Sequence, residues 1–256
     1  MRLLPRAGRR RRTQAKRRGA VLYHGPSRFN GRMILVILTG LGRRTLNVKT
    51  GDQVQVWVIS AEVPPAEAVR SGLDEASCGD CSQRHGVGGH CYVIEAQAPQ
   101  QVWRAWARGA YEDWTERMPD GALAGVSARL AAYGELGAAP DRVLRRIFAQ
   151  DLAGWTGYTH QWDVVELQWL RGYLMASVDS HEERELAQSM GWRTFRASGE
   201  RDPDGTEIEC VNVTHGVQCV DCGVCAGQKA GGDRSVWIPA HGSRVAKRAA
   251  LTASGD

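Results

Sequence analysis

The fold is decided by residues 155–178, WTGYTHQWDVVELQWLRGYLMASV, in which two short apolar runs flank a helix-like segment. Residues 155–160 and 174–178 have the length and composition of buried strands. Residues 163–171, between them, are predicted to form a helix. A strand, a crossover helix and a second strand predict two parallel neighbours joined by a right-handed connection.

The same alternation extends in both directions from this unit. Further strands are predicted at residues 34–38, 54–59, 129–133, 192–197 and 235–239, and further helices at residues 64–70, 99–111, 140–152 and 181–190. The order predicts an α/β protein whose fold is a partial or complete parallel (βα) barrel. An open doubly wound sheet is the alternative. No Gly-x-Gly-x-x-Gly follows a strand, which disfavours the dinucleotide-binding form of that alternative.

Length and hydropathy predict one soluble domain. The chain has 256 residues, of which 43% are hydrophobic and 24% charged, enough for a sizeable core. We expect this domain to span residues 21–242, between a disordered arginine-rich arm (residues 1–20) and a flexible tail (residues 243–256). No apolar run approaches the roughly 18 residues of a membrane helix. No apolar segment follows the arginines of the arm, as a secretory signal would require. A cytoplasmic protein without membrane contact is therefore expected.

The positive charge is concentrated at one end. Residues 1–20 hold nine of the 33 lysines and arginines and no acid, so 24 basic residues face 28 acidic ones in the rest of the chain. Such an arm can contact a phosphate backbone by releasing counterions. A solvated arm without a partner is the alternative, and it is favoured because no aromatic residue interrupts the arginines to stack on bases.

Six of the seven cysteines fall into two groups with short spacings, which in an intracellular chain indicates metal binding rather than disulfides. Cys219, Cys222 and Cys225 have the C-x-x-C-x-x-C spacing of an iron–sulfur ligand run, and together with Cys210 upstream as a fourth thiol they are called the second group below. A zinc site in the same loop is the alternative, because four cysteines serve both metals.

The first group has only three thiols, Cys78, Cys81 and Cys91. Three ligands leave one metal position open for water, substrate or another side chain. His85 and His90 lie in the same loop, residues 74–92, and either would complete a zinc site. An iron with an open position is the other interpretation, and spacing does not decide between them.

Polar residues follow strand after strand, where the mouth of a parallel barrel would lie. We assign these residues as candidates for acid–base catalysis or anion binding: His160, Asp179, Arg196 and His241. Glu135, after another strand, and Tyr92, next to Cys91, are candidates for binding a cofactor. For any single residue, a polar strand end without a function is the simpler interpretation.

Several motifs together resemble a family of phage and prophage proteins of unknown function over roughly residues 22–242. They are NVKTG (47–51), CGDC (78–81), GHCYV (89–93), GYTHQW (157–162), MASVD (175–179), GWRTFR (191–196), CVDCGVC (219–225) and IPAHG (238–242). More distantly, Cys-x-x-Cys followed by Cys-Tyr before a series of βα units is similar to radical-SAM-like barrel proteins. That resemblance implies S-adenosylmethionine bound at the open iron of a cluster, in the cytoplasm of a bacterial host. The usual C-x-x-x-C-x-x-C spacing of radical-SAM proteins is missing here.

Two functions follow from these patterns. The first is a phage-type metalloprotein with one or two iron–sulfur clusters, acting as an enzyme of radical-SAM-like architecture on an unknown substrate. The second is a non-catalytic zinc protein that binds nucleic acid through residues 1–20. The mildly acidic body favours the first, because duplex binding requires a basic face beyond one arm.

Overall fold

The computed structural model describes residues 18–42, 47–198, 205–230 and 232–239. Ten strands form one sheet: β1 (Gly19–Pro26), β2 (Met33–Thr39), β3 (Val54–Ser60), β4 (Glu112–Asp113), β5 (Ser127–Tyr133), β6 (Gly154–Thr159), β7 (Met175–Val178), β8 (Thr194–Ser198), β9 (Glu207–Glu209) and β10 (Ser235–Pro239). The α-helices are α1 (Pro65–Arg70), α2 (Glu75–Cys78), α3 (Ala98–Ala107), α4 (Asp141–Phe148), α5 (His181–Ser189), α6 (Val211–His215) and α7 (Cys219–Cys222).

The sheet is mostly parallel. Its order is β4-β1-β2-β3-β5-β6-β7-β8-β10-β9, and every neighbouring pair is parallel except β1–β2 and β2–β3. The prediction of an α/β fold with parallel strands therefore holds from β3 onward. It was wrong for β2, which runs antiparallel to both of its neighbours. The described residues of the links on either side of β2 contain no helix, and antiparallel neighbours need no crossover helix.

The connections from β5 to β8 all lie on one side of the sheet. Helices α4 and α5 and the 3₁₀ segment Val165–Gly172 pack into the same core cluster as the inner faces of β5 and β7. From β5 to β8 consecutive strands lie side by side with no reversal of order, so this part of the sheet is singly wound, unlike a doubly wound nucleotide-binding sheet. Within the described residues the edge strands β4 and β9 are not paired with each other, so a closed barrel stays a prediction.

Several element bounds differ from those predicted. The segment after β6 is a 3₁₀ helix, Val165–Gly172, instead of an α-helix, and α4 ends at Phe148 rather than residue 152. Three strands were not predicted: β1, β4 and β9. Strand β1 already begins at Gly19, inside the segment expected to be disordered. The rest of the arm, residues 1–17, the tail and His241 lie outside the described residues.

The other face of the sheet is covered by two separate layers. Over β1–β3 it packs against α3, with Val102 buried beside Leu35 and Trp57. Over β6–β10 it packs against the segment of residues 210–225, with Cys225 buried beside Met175 and Val236. The candidate site lies on this face, opposite the crossover helices. Of the helices described, none has the length and apolar character needed to cross a membrane.

Candidate functional site

The loop of residues 74–92, which carries the first cysteine group, is held by residues at the carboxyl ends of three parallel strands. After β5, the amide of Glu135 donates to the carbonyl of Ser77 at 2.6 Å. After β6, the side chain of Gln161 donates to Asp80 Oδ1 at 2.7 Å. After β7, Asp179 Oδ2 accepts hydrogen bonds from both Ser82 and Gln83. The strand-end residues therefore fix the position of the cysteine loop.

Asp179 is the clearest of these anchors. Its Oδ2 accepts from the Ser82 hydroxyl at 2.7 Å and from Gln83 Nε2 at 2.8 Å. Because each hydrogen bond to a charged group contributes about 1.5–3 kcal/mol, Asp179→Ala should make the amides of residues 82–91 exchange with solvent about tenfold faster or more. Hydrogen–deuterium exchange checks this, with the exposed Asp163→Ala as control. Unchanged exchange of the loop in Asp179→Ala would contradict the anchoring role.

The three thiols of the first group lie around a small cavity of about 100 Å³. Cys78, Cys81 and Cys91 line it together with Glu135 and His160. Burial raises the pKa of the Cys78 thiol well above its ordinary value and also raises the pKa of Cys91. These two thiols are therefore protonated at neutral pH, and binding a metal ion would displace their protons.

A bulge in β5 shapes this cavity. The register of β5 against β3 shifts between Gln55 and Trp57, and Ala131 has φ of 54°, in the left-handed region that is uncommon for a residue other than glycine. As a result both Ala132 and Tyr133, which would alternate across a regular strand, line the same cavity. Strained backbone of this kind is found preferentially at functional sites.

His160 is oriented by a buried carboxylate. Glu135 is 6% exposed and accepts from the Thr159 hydroxyl at 2.7 Å, from the His160 amide at 3.0 Å and from His160 Nδ1 at 3.4 Å. Burial opposes protonation of His160, but hydrogen bonds with Cys81 and Glu135 outweigh it and raise the pKa of His160 well above its ordinary value. The imidazole is therefore held beside the Cys81 thiol, with its Nδ1 edge toward Glu135.

His85 is not available as a metal ligand as it is placed here. Its Nδ1 lies 2.9 Å from Glu95 Oε2 and its Nε2 lies 2.7 Å from the carbonyl oxygen of Cys91, so both ring nitrogens are engaged. His90 lines a different, larger cavity, together with Cys91. Among the described histidines, His85 and His160 line the small cavity together with all three thiols. Of these two, His160 has one ring nitrogen, Nδ1, near a protein oxygen, whereas His85 has both.

The second cysteine group is fastened to the sheet by its backbone. The Cys219 amide donates to the Lys49 carbonyl at 2.8 Å, and the Gly157 amide in β6 donates to the Cys225 carbonyl at 2.9 Å. The Cys210 amide bonds to Trp237 of β10 at 2.9 Å. These three contacts hold residues 210–225 across the face of the sheet, so the four thiols have a fixed scaffold.

Arg193 adds a side-chain clamp to this segment. Its guanidinium is largely buried and donates to the carbonyls of Ala226 at 2.7 Å, Val224 at 2.9 Å and Arg234 at 2.7 Å. Burial lowers the pKa of Arg193, but a guanidinium stays protonated at any physiological pH. The clamp therefore stays charged whether or not the thiols ionise.

The four thiols of the second group influence one another electrostatically. Burial and, to a smaller extent, Cys210, Cys219 and Cys222 raise the pKa of Cys225 to about 12, against a hydrogen bond with Tyr158 that lowers it. The pKa of Cys219 is raised by burial and by Cys210 and Cys222, against the opposing effect of Arg129. Within residues 18–42, 47–198, 205–230 and 232–239, however, no three His, Cys, Asp or Glu side chains are placed as a metal-binding group.

Both cysteine groups line one large cavity of about 630 Å³. Cys91 comes from the first group, and Cys210, Cys219, Cys222 and Cys225 form the second. Its other lining residues include these polar or aromatic side chains: Lys49, Gln83, Tyr92, Arg129, Thr156, Tyr158, Asp179 and Phe195. The small cavity shares Cys91, Tyr92 and Tyr158 with it, so the two cavities adjoin.

The structure places the predicted site residues that it describes in three different locations. Tyr92 and Asp179 line the large cavity, and Glu135 and His160 line the small one. Arg196 lies elsewhere, fully buried against Glu207. Arg129 was not among the predicted residues, although a charged residue within an apolar strand indicates a special environment for its side chain. Comparisons with protein-family models, with curated proteins and with solved structures found nothing that matches this chain.

Proposed function

We propose that this protein is a metal-dependent enzyme that binds a small organic molecule in the large cavity, beside iron–sulfur centres held by its two cysteine groups. The observation that carries the proposal is the convergence of seven thiols, distant in sequence, on two adjoining cavities. A structural metal site needs no cavity of about 630 Å³ beside it, whereas cavities of this size are typical of small-molecule sites.

The donor set of the second group fits an iron–sulfur cluster. Cys219, Cys222 and Cys225 have the spacing of a cluster ligand run, and Cys210 lies close enough to affect the pKa of Cys225. A cluster there would transfer electrons one at a time. The backbone contacts to Lys49, Gly157 and Trp237 hold the loop that would surround it.

The first group supplies three thiols and one further position. We assign Cys78, Cys81 and Cys91 as ligands of the centre nearest the small cavity. The neighbouring His160 is assigned to proton transfer, with Glu135 as the residue that positions its ring. S-Adenosylmethionine is the candidate cofactor that the radical-SAM resemblance suggests for the open position, and a partial βα barrel is the corresponding architecture. The single winding of β5–β8 supports that architecture.

A zinc protein that binds nucleic acid is the competing proposal. Four cysteines suit zinc as well as iron, and the nine basic residues of the arm would contact phosphates. The cavity shared by the two cysteine groups favours the enzyme, because recognition of nucleic acid requires a basic surface rather than a chiefly apolar pocket.

Anaerobic purification of the full chain, followed by analysis for iron, sulfide and zinc, tests the proposal. We expect a brown protein with iron and sulfide in equal amounts and charge-transfer absorption in the visible range. A colourless protein that holds stoichiometric zinc, and whose affinity for duplex DNA falls when residues 1–17 are removed, would replace the enzyme with the zinc protein.

A further inference from the structure

We propose that the large cavity recognises an aromatic organic anion, with Arg129 binding its carboxylate or phosphate group. This inference rests on the proposed function in that it names the class of molecule bound there. It is carried by the environment of Arg129 and by the aromatic wall beside it.

Arg129 projects from β5 into the cavity without a carboxylate partner. Its guanidinium donates to the Tyr92 hydroxyl and lies 5.9 Å from the centre of the Tyr92 ring. The other groups that act on its charge are the Tyr158 phenol and the thiols of Cys219 and Cys225. Among the described residues, no aspartate or glutamate pairs with it. A guanidinium has five N–H donors, and one phenol uses only part of that capacity.

No carboxylate of the cavity lining is left to pair with this positive charge. Asp179 is the one carboxylate among its described lining residues, and its Oδ2 already accepts from Ser82 and Gln83. Lys49 adds a second cation to the lining. A planar guanidinium in a cavity that also has a lysine in its lining suits a ligand with a carboxylate or phosphate, which a guanidinium can bind through two parallel hydrogen bonds.

The wall next to Arg129 is aromatic. Tyr158 in β6 and Phe195 in β8 lie on either side of β7, with ring centroids 4.2 Å apart, and both line the cavity. Strand β6 also presents Thr156 on the same face. An unsaturated ring can pack on this pair while its anionic group reaches Arg129. Together, the Arg129 guanidinium and the aromatic pair favour anions that carry a ring over anions without a ring and over uncharged ring compounds.

Ligand-observed NMR under anaerobic conditions tests this, with benzoate, phenyl phosphate and benzyl alcohol as probes on the full-length protein. We expect at least one of the two anions to bind about tenfold or more tightly than the neutral alcohol, because hydrogen bonds to a charged group contribute about 1.5–3 kcal/mol each. The two anionic arms distinguish a carboxylate from a phosphate. Equal binding of all three probes would overturn the inference.

Two variants locate the preference. Arg129→Gln should abolish it, and Arg129→Lys should retain part of it. Arg142→Gln is the matched control, since Arg142 also lies 5.9 Å from a tyrosine ring, that of Tyr23, but does not line the cavity. If Arg129→Gln lowers the metal content and leaves the anion preference intact, Arg129 is a partner of the thiols and the inference fails.

Measuring both metal-loaded and metal-free protein separates this inference from the proposed function. If the protein never contains iron but still prefers anions, the inference about the ligand stands and the proposed iron–sulfur enzyme is rejected. If the protein contains iron but shows no preference for anions, the proposed function stands and the inference about the ligand is rejected.

Discussion

Cys222→Ala is expected to remove roughly half of the iron and sulfide from anaerobically purified protein, because one of two clusters would lose a ligand. Cys222 lines the large cavity and raises the pKa of the neighbouring Cys219 and Cys225 thiols. Cys81→Ala should remove the other half, and the double variant should be colourless. Iron and sulfide analysis with visible absorption provides the measurement.

The control is the residue next to Cys222 in the same short helix, α7. Asp221 is exposed, so Asp221→Ala should retain the full metal content and spectrum. Retention of all iron in Cys222→Ala would show that the second cysteine group does not hold a cluster. Loss of all iron in either single variant would instead indicate one centre shared by both groups.

Arg196→Met is expected to lower the free energy of unfolding by about 3–5 kcal/mol, because it leaves a carboxylate buried without its closest charge partner. Arg196 Nε and Nη2 donate to Glu207 Oε2 at 2.9 and 2.7 Å, and both side chains are at most 1% exposed. Replacing both, as Arg196→Met with Glu207→Leu, should restore much of the stability, since an apolar pair of similar volume fills the space. Denaturant unfolding monitored by tryptophan fluorescence measures the difference.

Arg117→Met is the matched control for that loss. Arg117 pairs with Asp120 at 3.2 Å, but the two side chains are 79% and 92% exposed, and exposed ion pairs contribute little to stability. We expect no measurable change. A stable Arg196→Met variant would contradict the structural role and return Arg196 to the candidate catalytic residues.

The central part of the fold could be predicted from the sequence because its elements have clear periods and lengths. Strands β2, β3, β5, β6 and β7 lie within a few residues of their predicted positions. Strand β9 has only three residues, and β4 only two, too few to show a pattern. Strand β1 follows directly on an arginine-rich segment, which hid its apolar alternation. The direction of β2 depends on the conformation of the loops on either side of it, which residue propensities do not predict.

The site was predictable in its residue types but not in their roles. The spacing singled out the seven cysteines, and the polar strand ends singled out Glu135, His160 and Asp179; the structure places all of them at two adjoining cavities, and their roles stay predictions. Sequence could not show that Asp179 holds the cysteine loop, or that Arg196 faces a buried carboxylate rather than the cavity. Arg129 was missed because the role inferred for it depends on which side chains surround it. Among the described residues no carboxylate pairs with it, and only the three-dimensional structure shows this.

The fastening of residues 210–225 to the segment before β3 has a consequence for biosynthesis. Gln218 reaches back to the carbonyl of Val48, 170 positions earlier in the chain. On the ribosome, the loop with Cys78 and Cys81 emerges long before the segment that closes the large cavity. Burial keeps the Cys78 thiol protonated, and protonated thiols react slowly with oxidants. A chain that stops before residue 210 therefore lacks much of the wall of the large cavity, and a ligand of that cavity can bind only after this late segment has folded onto the sheet.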